Sequence, residues 1–210
     1  MCTYLGASIE FEPKDIDYSV LKESKYLYLE GYLWDSELAK NAFLKAAQIA
    51  KQSNTKIILS LSDSFCVDRH RESFLELIDE YVDIVGMDNY GDLANQQGAN
   101  LAAANQKLKV VSDLAEERVK IPGFTETGYF VSSGTTLASN FYSNNLYQVL
   151  TDNEINIGFM MFWQNSADSY TVPAPGTDGA ADFMDFVEKD KTWLLDDMPN
   201  IYDLPEDNNA

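Results

Sequence analysis

The chain is poor in the residues that most often build metal and redox centres: it holds one histidine and two cysteines. Cys2 and Cys66 are too few for a disulfide framework, and with His70 they make no Cys/His cluster of metal-ligand spacing. Neither a metal nor another cofactor is therefore expected. Bases are also scarce. Fifteen Lys and Arg stand against 34 Asp and Glu, a net charge of −19 divided as −6 over residues 1–84 and −13 over residues 85–210. Such a surface repels the phosphates of nucleic acids and of anionic membranes, so neither is an expected partner. No apolar run approaches the ~20 residues needed to span a bilayer. Met1-Cys2-Thr3-Tyr4 is not a basic region leading into an apolar one, so no secretory signal is read and a cytoplasmic location is the expectation. There is no Pro/Gly-rich linker, repeat or low-complexity segment, and 210 residues with 45% hydrophobic content suit one α/β domain.

What is present is a period that switches between strand and helix. Short apolar runs at Thr3–Ala7, Tyr26–Leu33, Lys56–Ser62, Asp83–Met87, Ile121–Phe124 and Ile157–Phe162 are candidate strands. Between them lie helical patterns over Ser36–Gln52, Arg71–Tyr81, Leu101–Arg118 and Ser139–Leu150. Alternation of this kind predicts an α/β fold of about six βα units with a mainly parallel sheet and right-handed crossovers. Six units are too few for an eight-stranded barrel. An open three-layer sheet, or a partial barrel completed by dimerisation, is expected, and exposed strand edges make a homodimer the expected assembly.

In parallel sheets, polar strand ends collect at the carboxyl edge, where active sites form. Glu30, Asp63, Asp88 and Glu126 each close a candidate strand and so gather along one edge. Asp68-Arg69-His70-Arg71-Glu72 looks like the solvated opening of a helix, which makes His70 structural. Tyr28, Tyr32 and Trp34 are expected to pack rather than to hold a ligand.

Residues from about Val85 to Tyr202 resemble the C-terminal part of glycoside hydrolase family 26 β-mannanases. The resemblance rests on Asp88-Asn89-Tyr90-Gly91, on Lys120-Ile121-Pro122 leading into Thr125-Glu126-Thr127-Gly128, and on Phe162-Trp163-Gln164-Asn165. It continues through Tyr170-Thr171-Val172-Pro173-Ala174-Pro175-Gly176 and Asp182-Phe183-Met184-Asp185-Phe186 to Leu195-Asp196-Asp197-Met198-Pro199-Asn200-Ile201-Tyr202. It implies Glu126 as nucleophile, Tyr90 as its hydrogen-bond partner, Trp163 as the aromatic platform and Asp88 as a polar residue of the same subsite. Gln164 stands where the family usually carries arginine. The portion bearing the family's acid/base glutamate, at the end of the fourth barrel strand, is missing.

Residues 1 to about 85 resemble an internal piece of ribokinase-like, PfkB-type sugar and adenosine kinases. The carriers are Thr3-Tyr4-Leu5-Gly6-Ala7-Ser8, Tyr26-Leu27-Tyr28-Leu29-Glu30-Gly31-Tyr32-Leu33-Trp34 and Ile58-Leu59-Ser60-Leu61-Ser62-Asp63-Ser64-Phe65. The Gly-Ala-Gly-Asp motif that carries those kinases' catalytic aspartate and anion hole does not occur, and phosphoryl transfer depends on such a cradle.

The two resemblances divide the chain into a kinase-like fragment, residues 1–84, and a glycoside-hydrolase-like fragment, residues 85–210, merged into one domain. The expectation is a chimera without an intact active site, at most a weak binder of mannan or mannooligosaccharides. The alternative is a retaining β-mannan hydrolase. If strand Tyr26–Gly31 replaces the missing fourth strand, Glu30 or a partner residue serves as acid/base opposite Glu126.

Overall fold

The computed structural model describes residues 6–93 and 99–198. Five parallel strands form one sheet in the order β1 (Tyr26–Glu30), β2 (Lys56–Ser60), β3 (Ile84–Asp88), β4 (Ile121–Thr127) and β6 (Phe159–Phe162). A two-residue antiparallel ribbon, β5 (Val131–Ser132) with β7 (Ser169–Tyr170), stands apart. The large sheet curls into a half-barrel. Its helices are α1 (Tyr18–Glu23), α2 (Glu37–Gln52), α3 (Ser64–Glu80), α4 (Leu101–Arg118), α5 (Tyr147–Thr151) and α6 (Ala180–Val187).

Register lays the strand ends side by side: Glu30 faces Ser60, Ser60 faces Gly86, and Asp88 faces Glu126. β3, the middle strand of the five, is buried at every position. Leu59, Val85 and Phe124 pack at the centre with Phe74, Ile78 and Leu108 from the helices, all essentially inaccessible to solvent. Each such side chain removed from water contributes about 1.5–3 kcal/mol. The helices start where the sequence supplies caps: Ser36 accepts from Ala39 N, Asp63 from Cys66 N and Asn100 from Ala103 N.

Several boundaries depart from the sequence reading. Of the expected strand Thr3–Ala7, residues 1–5 lie outside the described residues, and Gly6–Glu10 forms a 3-10 turn that begins with Gly6 at φ +59°. Among the described residues the sheet has five parallel strands. The strand expected to run to Leu33 stops at Glu30, and Gly31–Asp35 coils into a 3-10 turn. A side chain at Gly31 would press to 2.9 Å from Ser60 O, so the chain turns against β2 only because this residue is glycine. The third helix begins at Ser64, not Arg71, because Asp63 caps it. His70 sits inside that helix at a kink, φ −125°, with Nε2 2.5 Å from Asp35 Oδ1. Ser139–Leu150 becomes a π-helical stretch, Phe141–Leu146, running into α5, its start held by Asp182, which accepts from Tyr142 N at 2.7 Å and Ser143 N at 3.1 Å.

Candidate active site

At the carboxyl edge of the sheet lies an open cavity of about 600 Å³. Its wall includes Glu30 from β1, Asp88 from β3, Glu126 from β4 and Trp163 just past β6. Tyr28 and Tyr32, expected to be packing residues, line it as well, with Thr125 and Gln164. Tyr90 joins it through its hydroxyl, which donates to Glu126 Oε1 at 2.7 Å. Asp63, the fourth strand-end acid, spends its carboxylate on capping α3.

Strand pairing continues past the ends of the sheet and stiffens this edge. Asn89 N donates to Glu126 O at 3.1 Å, Thr127 Oγ1 to Asn89 O at 2.8 Å, and Trp163 N to Thr127 O at 2.9 Å. The loop carrying Trp163 is closed by Asn165, whose Oδ1 accepts from Thr171 N at 2.9 Å and Val172 N at 3.1 Å, while Thr171 Oγ1 donates to Trp163 O at 2.8 Å. Trp163 keeps 44% of its surface exposed at the cavity wall. Stacking of Phe130 on the Tyr90 ring, centroids 5.5 Å apart, sets the angle at which the Tyr90 hydroxyl reaches Glu126.

The three carboxyl groups are electrostatically coupled. Asp88, 7% exposed, is pushed up to about 7, first by burial and then by the charges of Glu30 and Glu126. Its Oδ1 accepts from Ser60 Oγ at 2.9 Å and Thr125 Oγ1 at 3.1 Å, which offsets part of that rise. Burial also raises Glu30, countered by a hydrogen bond from Ser62 Oγ and reinforced by Glu126. Glu126 is raised by burial and held back by the Tyr90 hydroxyl. Burial thus favours the protonated form of all three carboxyl groups, most strongly that of Asp88.

Ser60, Ser62 and Thr125 are the site residues that sequence reading misses. Small hydroxyls at strand ends look like solvated termini; the available signal is that Ser60 and Ser62 are two apart and so share a face. Among the described residues no group of three or more His, Cys, Asp or Glu side chains could hold a metal ion, and no helix is long and apolar enough to cross a membrane.

No family model matches the chain. It resembles GH26C of Muricauda sp. MAR_2010_75, with 44% identity, a TM-score of 0.67, and coverage of 79% of this chain and 45% of that one. That coverage exceeds what residues 85–210 contain, so the match to that structure includes residues before 85. The mannan endo-1,4-beta-mannosidase of Bifidobacterium adolescentis is 32% identical over 128 residues, 55% of this chain and 13% of that protein. Separately, over 40% of its length the chain is 48% identical to a probable sugar kinase from Rhizobium etli, with a TM-score of 0.39 and coverage of 26% of that chain. The chain thus spans less than half the length of each of these proteins.

Proposed function

We propose that this half-barrel is a retaining glycoside hydrolase acting on β-mannan, with Glu126 as nucleophile and Glu30 as acid/base. One observation carries the reading: Glu30 and Glu126, three strands apart, line one cavity together with Trp163, and Tyr90 hydrogen-bonds Glu126. On this reading the chain is a chimera in which a kinase-like strand brings its own glutamate to the position of the missing acid/base.

In the first step the Glu126 carboxylate attacks the anomeric carbon. Glu30 gives its proton to the glycosidic oxygen, the glycosidic bond breaks, and a glycosyl ester on Glu126 forms. In the second, ionised Glu30 takes a proton from water as that water attacks the anomeric carbon and the Glu126 carboxylate leaves. Both steps need carboxyl groups about 5 Å apart. Burial favours the protonated acid that the first step uses, and the Tyr90 hydroxyl orients the nucleophile. Trp163 offers the stacking surface for the ring undergoing cleavage.

A second reading, saccharide binding without turnover, is favoured by the size of the sheet: among the described residues it has five strands, which wall the cavity on one side as part of a barrel. Hydrolysis of mannooligosaccharides decides between the two readings, with Glu126→Ala and Glu30→Ala run in parallel and folding verified by circular dichroism. The hydrolase reading expects turnover that drops at least about a thousandfold in either variant. Folded protein that binds mannooligosaccharide in the millimolar range and releases no product overturns it.

A further inference from the structure

Two residues past the end of β2, Ser62 is 1% exposed and has φ +60°, a left-handed backbone that residues with side chains keep only where their surroundings demand it. Four hydrogen bonds make the demand. Ser62 Oγ donates to Glu30 Oε1 and accepts from Tyr32 N at 3.0 Å. Ser62 N donates to Ser60 Oγ at 3.1 Å, and Ser60 in turn donates to Asp88 Oδ1 at 2.9 Å. Ser62 O accepts from Asp88 N at 3.0 Å. One residue therefore connects the carboxyl group of β1 with the buried acid of β3, across the strand between them. The turn is packed shut around it, since a side chain at Gly31 would stand 2.8 Å from Ser62 Oγ.

We propose that Ser62 is a positioning residue that fixes the Glu30 carboxyl group and selects which of its oxygens carries the transferable proton. This rests on the reading of Glu30 as acid/base. A donor aimed at Oε1 occupies that oxygen as an acceptor. The proton then resides on Oε2, which lies 3.4 Å from the Tyr28 hydroxyl. Without Ser62 the carboxyl group is free to rotate and to present either oxygen, protonated or bare, to the glycosidic bond.

The test is Ser62→Gly, because glycine adopts φ +60° without penalty and removes only the hydroxymethyl group. Ser62→Ala, which deletes the hydroxyl alone, is measured beside it. A residue that merely shapes the turn would leave hydrolysis unchanged in the glycine variant. The proposal expects kcat on an unactivated mannooligosaccharide to fall at least about tenfold, with little loss on a dinitrophenyl mannoside whose leaving group needs no proton. The lost donor had favoured ionised Glu30, so the basic limb of the pH profile should move up. Independently, ¹³C titration of the Glu30 carboxyl, assigned with Glu30→Gln, should show a midpoint raised by about half a unit or more in both variants. An unmoved Glu30 titration with an unchanged ratio between the two substrates overturns the proposal. A wild-type chain that hydrolyses neither substrate removes the hydrolase reading, while the titration still decides whether Ser62 governs Glu30.

Discussion

The Tyr90 hydroxyl stands 2.7 Å from Glu126 Oε1 and donates to it between the ends of β3 and β4. Burial raises Glu126, and this bond opposes the rise. In Tyr90→Phe the nucleophile should ionise at higher pH, moving the acidic limb of the rate profile upward, and kcat should fall on the order of a hundredfold, as for loss of one charge-directed donor. A full pH–rate profile for both proteins checks this; an acidic limb that stays in place would detach Tyr90 from the titration of Glu126.

Asp88 makes stability depend on pH in a direction opposite to that of an ordinary paired carboxylate. Its folded value of about 7 exceeds the ordinary 3.8. The folded chain thus holds a proton that the unfolded chain has already lost. The stability this contributes is full below the unfolded value and is lost as pH rises through the folded one. Asp88→Asn can still accept from Ser60 and Thr125 through Oδ1, and it cannot ionise. The variant's melting temperature should match wild type near pH 4 and exceed it by several degrees near pH 8, at about 2–4 °C per kcal/mol for a chain of this size. A difference that stays constant across the range would refute the assignment.

Gly86 of β3 pairs with Gly123 of β4 and leaves no room for a side chain. A Cβ there would lie 2.4 Å from Thr125 Cγ2 and 2.9 Å from Gly123 O. Gly86→Ala should cost about 1–3 kcal/mol in urea unfolding, the usual penalty for overpacking. Adding Thr125→Ser removes the colliding methyl and keeps the hydroxyl that serves Asp88, so the double variant should recover part of the loss. Equal stability of the two variants would show that the groups both retain, the residue-125 hydroxyl at 2.8 Å and Gly123 O, set the limit rather than the methyl.

The architecture is legible because hydrophobic period survives the change of resemblance near residue 85. α4 spans Leu101–Arg118, as its spacing predicts, and the core strands β2 to β4 lie where their apolar runs do. What escapes are features fixed by tertiary contact. Gly31 ends β1 early because of β2 beside it, and nothing local to Tyr26–Leu33 says so. Asp63 is indistinguishable in sequence from Glu30, Asp88 and Glu126, yet it caps a helix while the other three share a cavity. Tyr28 and Tyr32 resemble packing residues because their neighbours across the cavity, Thr125 and Trp163, are more than ninety residues away in the chain.

The pairing of Tyr26–Glu30 with Lys56–Ser60 is a run of five matched residues without a break. Such a ladder acts as an address: whatever segment docks there in the same register delivers its fifth side chain to the mouth of the cavity. Grafting other five-residue strands into this slot would therefore vary the chemistry at one fixed point in space while the opposite wall, carrying Glu126 and Trp163, stays as it is. The half-barrel is in this sense a socket, and the identity of its acid is a property of the strand plugged into it.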